Sequence, residues 1–168
     1  MLLRSFLASD DRALISWVRS PEELLLFGGP EMSWPLDRAQ LAAVRSRPDT
    51  TAWTGVIPPA AAPVGHIELV VRDESGHGHI ARVIVDPARR REGLGRKLVL
   101  AALDEAVAGG LQLVTLNVRR QNEAAIRTYT GLGFRTVDSA ASDPAVLRME
   151  IHFERAGPPQ SCRGQAQT

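Results

Sequence analysis

The chain has 168 residues and a mass of 18.2 kDa, with 44% hydrophobic and 23% charged residues, the size and composition of one compact domain. Twenty basic against nineteen acidic side chains leave a formal charge of +1, which excludes the global electrostatic footprint of a nucleic-acid or membrane-surface binder. A single cysteine, Cys162, excludes internal disulfides and thiolate zinc clusters, and no apolar run has the length of a secretory leader core or a membrane span, so a soluble cytoplasmic protein without metal is expected.

Leu2 to Leu7 has the pattern of a short first strand, and Asp10 or Asp11 stands where it can cap a helix through Leu14, Ile15, Trp17 and Val18. Ser20-Pro21-Glu22-Glu23 starts a second helix, with Ser20 as cap, Pro21 in the first turn and Glu23 reaching back; Gly28-Gly29-Pro30 ends it. Asp37 to Arg45 forms a third, with Gln40 three residues after its cap. The loop between the second and third helices is too rich in Gly and Pro for regular structure. It carries Trp34, which either lines a substrate pocket or staples the loop to the core.

Thr51 to Ile57, Val64 to Val71 and Gly78 to Val85 are three successive strands of an antiparallel meander, joined by the Pro58 to Pro63 linker and an Asp73-Glu74-Ser75-Gly76 turn. Glu92 to Ala108 carries a helical apolar period at Leu94, Leu98, Ala101, Ala102, Leu103 and Ala106, and Gly109-Gly110 stops it. A buried strand at Leu113 to Val118 follows, then a helix at Glu123 to Thr130 closed by Gly131, and a final hairpin of Phe134 to Val137 with Val146 to Phe153. From Arg155 the composition turns to Gly, Pro, Gln and Ser, so residues 1–154 are expected to form the domain and 155–168 a disordered tail.

Charge is concentrated in one place. Arg82 to Lys97 holds six basic residues against two acidic ones, a local +4, and leaves fourteen against seventeen, or −3, in the rest of the chain. At a strand-to-helix junction this concentration suits a polyanion: the first helix amides are unpaired, the dipole end is positive, and Gly93 and Gly95 let the backbone approach closely. The Gly93-Leu94-Gly95-Arg96-Lys97-Leu98 spacing fits neither a dinucleotide fingerprint, which needs a third glycine at Leu98, nor a P-loop.

The segment Val85-Asp86-Pro87 followed by Arg90-x-x-Gly93-x-Gly95 resembles the acyl-CoA signature of the GNAT superfamily of N-acetyltransferases. A second motif of that family is matched by Leu116-Asn117-Val118, then Asn122, Ala125, Tyr129, Gly133 and Phe134. The resemblance implies an α/β GNAT fold: a mixed, mostly antiparallel sheet of six to seven strands, flanked by helices and splayed between two parallel central strands, here Gly78 to Val85 and Leu113 to Val118. It implies acetyl-CoA as cosubstrate, with Val83, Ile84 and Val85 offering backbone bonds to the pantetheine arm. Residues Arg90, Arg91, Glu92, Gly93, Leu94, Gly95 and Arg96 would wrap the pyrophosphate. The acceptor it implies is a primary amine of a small molecule or peptide, and a homodimer is a common arrangement in that family.

Tyr129 is the chain's only tyrosine. The resemblance assigns it the role of general acid toward the departing thiolate, against a packing role, and gives Asn122 a hydrogen bond near the cofactor, against a helix N-cap. Seven residues apart, the two fall within about 20° on a helical wheel. For the base that frees the amine the candidates are Glu74, His77 and His79, of which His79 is preferred. The alternation of a regular strand puts His77 and His79 on the face of Val83 and Val85, and Arg82 on the opposite face, with Glu68 as its expected partner or else a substrate carboxylate. Cys162, in the tail, is not a nucleophile on this reading. The competing function is an acyl-CoA-binding sensor without turnover.

Overall fold

The computed structural model describes residues 1–71, 76–137 and 143–154. Strands β1 (Leu2–Ser5), β2 (Thr50–Val56), β3 (Pro63–Val70), β4 (His77–Val85), β5 (Leu113–Arg119), β6 (Arg135–Val137) and β7 (Val146–His152) form one sheet in the order β1-β2-β3-β4-β5-β7-β6. Every neighbouring pair is antiparallel except β4 and β5, which run parallel at the centre. The mixed, mostly antiparallel sheet implied by the resemblance is therefore present. Glu74, Cys162 and the expected tail lie outside the described residues.

The helices cover the sheet unequally. On one face α4 (Leu94–Ala108) and α5 (Glu123–Thr130) pack over the centre; on the other, α1 (Asp11–Trp17), α2 (Pro21–Gly28) and α3 (Arg38–Arg45) cover the N-terminal strands. The α4 stripe of Leu94, Leu98, Val99, Ala102, Leu103 and Ala106 is buried, as its period requires. Leu98 sits deepest because two strand residues lack a side chain: a Cβ on Gly55 would stand 2.8 Å from Leu98 Cδ1, and one on Gly65 3.0 Å from Leu98 Cδ2. The helix thus seats directly on β2 and β3.

The short N-terminal helices are held by their caps. Ser20 Oγ accepts from the Glu23 amide at 3.2 Å, and Glu23 reaches back to the Arg19 amide at 2.8 Å, one residue earlier than a capping box places it. Asp37 caps α3 through the Gln40 amide, and the Gln40 side chain ties down the preceding loop at Ser33 and Pro35.

Two departures from regular pairing shape the middle of the sheet. The β4–β5 ladder ends at Ile80 opposite Leu116, although β4 continues to Val85 and β5 to Arg119, so the strands part and leave two facing backbone edges unpaired. In β4 itself, Ala81 pairs with Glu68 and Ile84 with His66, so three steps in one strand oppose two in the other. Arg82 takes a left-handed conformation there, with φ 48°.

This bulge reverses the alternation expected for a regular strand. His79 and Ala81 share a face with Ile84, which packs against the N-terminal helices, while Val83 and Val85 join the α4 side. The placement of His77 and His79 on the face of Val83 and Val85 is thereby corrected, as is that of Arg82 on the face opposite His79. The inserted residue swings Arg82 onto the face of Glu68, and the expected partnership forms with Arg82 Nη1 donating to Glu68 Oε2 at 2.6 Å.

Candidate active site

A cavity of about 500 Å³ opens where β4 and β5 part. It is lined by Val83, Ile84 and Val85 of β4, by Arg90, Arg91, Gly93, Leu94, Gly95 and Arg96 at the start of α4, and by Asn122 and Tyr129. Most of the residues singled out in the sequence therefore meet in one place. Glu92 does not: its exposed carboxylate accepts from Arg89 at 2.6 Å and lies outside the lining.

The α4 end is built for an anion. Gly93 caps the helix with φ 72°, a conformation costly for any residue with a Cβ, and nothing lies within 4 Å of where that Cβ would be. The helical ladder begins with the Lys97 amide donating to Gly93 O, which leaves the amides of Leu94, Gly95 and Arg96 without helical acceptors. Of the surrounding guanidiniums, Arg89 is paired with Glu92 and Arg90 lies 3.6 Å from Glu23, whereas Arg91 and Arg96 have no ion pair among the described residues. Three free amides, a helix dipole and arginines fit a pyrophosphate, and the unpaired β4 edge beside them fits the amide-bearing arm of a coenzyme A.

Tyr129 is 8% exposed and packs edge-on against Phe134, with ring centroids 5.9 Å apart. Its hydroxyl makes no hydrogen bond within the described residues, and burial pushes its pKa up to about 12. Asn122 takes up the N-cap of α5, Oδ1 accepting from the Ala125 amide at 3.3 Å, so it stands outside the helix and the helical wheel does not relate it to Tyr129. Both nevertheless face the same cavity.

A second cavity, of about 740 Å³, adjoins the first and shares Leu26, Phe27, Ile80, Ala81, Arg82, Asn117, Val118 and Arg119 with it. His77 and His79 line this second cavity, not the first. Thr115 Oγ1 lies 2.9 Å from His79 Nδ1 and 3.3 Å from Gly78 O. Among the described residues no group of three or more His, Cys, Asp or Glu is gathered to hold a metal ion.

Beneath the junction of the two cavities runs a charged chain. His66 Nε2 lies 3.1 Å from Glu68 Oε1, Arg82 bridges Glu68 and Glu31 at 2.6 Å each, and Arg47 reaches Glu31 at 3.2 Å. His66 and Glu68 are fully buried, with Phe6 and Phe27 edge-on to the imidazole. Partial burial works against ionisation of Glu31, but the hydrogen bond from Arg47 and the charge of Arg82 hold its pKa below the ordinary value.

Trp34 is 45% exposed and lines neither cavity. Lining residues that the sequence did not mark as part of a site include Leu26 and Phe27 of α2 and Asn117 and Arg119 of β5, Asn117 having been named only within a motif. A signal for the latter two was present: Val114, Leu116 and Val118 alternate inward, so Thr115, Asn117 and Arg119 share the other face.

A profile of the acetyltransferase (GNAT) family matches residues 13–134, and the chain belongs to that family. Among its relatives, the mycothiol acetyltransferase of Streptosporangium roseum is 47% identical over 73 residues, which are 40% of this chain and 22% of that one. The ribosomal protein bS18 alanine N-acetyltransferase of Escherichia coli is 44% identical over 68 residues, again 40% of this chain and 44% of the relative. The matched stretch thus spans less than half of either relative's length. The PaiA N-acetyltransferase of Thermoplasma acidophilum, solved in complex with coenzyme A, shares the fold with a TM-score of 0.72 and 20% identity over 90% of this chain and 98% of that one.

Proposed function

We propose that the chain is an N-acetyltransferase that passes the acetyl group of acetyl-CoA directly to a primary amine of a small molecule or peptide. The observation that carries this reading is the meeting of the two cavities where β4 and β5 part, one framed for a polyanionic cosubstrate and the other large enough for an acceptor.

When bound, acetyl-CoA supplies an activated acyl thioester. The free amides of Leu94, Gly95 and Arg96, with Arg91 and Arg96, hold its pyrophosphate, and the unpaired edge of Val83 to Val85 holds its arm. A backbone N–H of that edge faces the negative charge that builds on the carbonyl oxygen as the amine nitrogen forms its bond to carbon. Tyr129 donates a hydrogen bond to the sulfur as the carbon–sulfur bond breaks. His79, whose Nδ1 lies 2.9 Å from Thr115 Oγ1, takes the proton the amine gives up. A cytoplasmic location and a homodimer both accord with this reading, and light scattering tests the second.

The test is release of coenzyme A thiol from acetyl-CoA in the presence of a panel of amines, with acetyl-CoA binding measured separately by calorimetry. Thiol release that depends on the amine, with one acetylated product per thiol, is expected. Tight acetyl-CoA binding without release from any amine would instead identify a sensor.

A further inference from the structure

Resting on that reading, we propose that the acceptor is a primary amine carrying a carboxylate, which Arg148 and Asn117 recognise in the second cavity. Among the described residues, the charged side chains lining this cavity are paired, with one exception. Arg47 and Arg82 share Glu31, and Arg82 also binds the buried Glu68, so two guanidiniums meet two carboxylates. Arg119 lies 3.5 Å from Asp143. Arg148 has neither an ion pair nor a hydrogen bond among the described residues, and its guanidinium stands on the wall of this cavity.

Its position places that charge where a substrate would lie. Arg148 on β7 is the register partner of Asn117 on β5, and Asn117 is the first β5 residue beyond Leu116, where pairing to β4 stops. Directly opposed residues of an antiparallel pair carry their side chains on one face, about 5 Å apart at Cβ, so a guanidinium and an amide stand together at the mouth of the parted strands. Asn117 lines both cavities.

Arg82 lines both cavities but is already held by Glu68 and Glu31 at 2.6 Å each, which leaves carboxylate binding to Arg148. A guanidinium fork binds a carboxylate through two parallel hydrogen bonds, whereas a polyamine would bring a second ammonium against Arg148. The lining therefore selects an acceptor with a negative charge and selects against a polycation.

The experiment compares kcat/KM for glycine, β-alanine and 4-aminobutyrate, each against its own amide, with spermidine as the polycation, all read as coenzyme A release. The best acid is expected to exceed its amide by about tenfold, the worth of one charge-assisted pair, and the preference should shrink as salt screens it. Arg148→Ala is expected to abolish the preference through KM, and Arg148→Lys to restore part of it; Arg148 is exposed, so the melting temperature checks that both variants fold. Equal rates for acids and amides, or a preference for spermidine, would overturn the carboxylate inference and leave the transferase reading standing. No release from acids, amides or spermidine would overturn the carboxylate inference, while release from another amine of the wider panel would leave the transferase reading standing.

Discussion

Tyr129→Phe is expected to lower kcat by about 10²–10³-fold while leaving acetyl-CoA affinity within about twofold, because the ring's packing against Phe134 survives and only the hydroxyl is lost. Burial refines what that hydroxyl can do. A phenol held at about 12 faces a thiolate whose ordinary pKa is near 8.5, so complete proton transfer would be uphill by about 3.5 pH units, or ~5 kcal/mol. On the proposed function, Tyr129 would therefore stabilise the departing sulfur chiefly as a hydrogen-bond donor, with the proton passing late and in concert with the break. The same burial keeps the phenol neutral across the working range. The pH–rate profile of the variant should keep the wild-type shape between about pH 6 and 10, only displaced downward. An unchanged kcat would assign Tyr129 to packing alone.

Glu68→Ala should be the most destabilising single change in the site. It removes a fully buried carboxylate and strands Arg82, whose side chain is only 6% exposed, with Glu31 as its remaining acid. Removing one partner of a buried pair typically costs about 3–5 kcal/mol, which for a chain of this length is a fall in melting temperature of about 6–20 °C. Arg82 also occupies the bulge that sets the direction of the β4 edge, so kcat should fall as well in whatever fraction remains folded. Glu68→Gln keeps the volume and one acceptor oxygen, and its effect should be smaller on both measures. A melting temperature for Glu68→Ala within about 2 °C of wild type would show that the chain of charges does not hold the bulge.

The residues that frame the first cavity were largely legible in the sequence, for a physical reason. The α4 start takes Gly93 in a left-handed conformation and β4 ends on the Asp86-Pro87 turn, so Gly93 and Val85-Asp86-Pro87 are tied to local backbone geometry. The spacing of Asn122, Tyr129 and Phe134 is likewise local to one helix and its exit. What stayed hidden depends on contacts distant in sequence. The strand alternation failed at Arg82, since an arginine at positive φ carries no local signature of a bulge; its stabilising partners, Glu31 and Glu68, lie 51 and 14 residues away. With that one extra residue His79 lines the second cavity and not the one lined by Val83 and Val85. The insertion of β7 between β5 and β6, which brings Arg148 beside Asn117, is a matter of sheet order that no hairpin pattern encodes. Trp34 had the composition of a pocket residue, but the Gln40 side chain holds its loop at Ser33 and Pro35, away from both cavities.

The central claim is that the parted strands and the start of α4 together hold acetyl-CoA with its thioester at Tyr129. A crystal structure of the acetyl-CoA complex tests it most directly. The expected result has the pyrophosphate on the amides of Leu94, Gly95 and Arg96, the arm along Val83 to Val85, and the sulfur within hydrogen-bond reach of the Tyr129 hydroxyl. A cosubstrate bound elsewhere, or one whose thioester points away from Tyr129 and from the second cavity, would contradict the account.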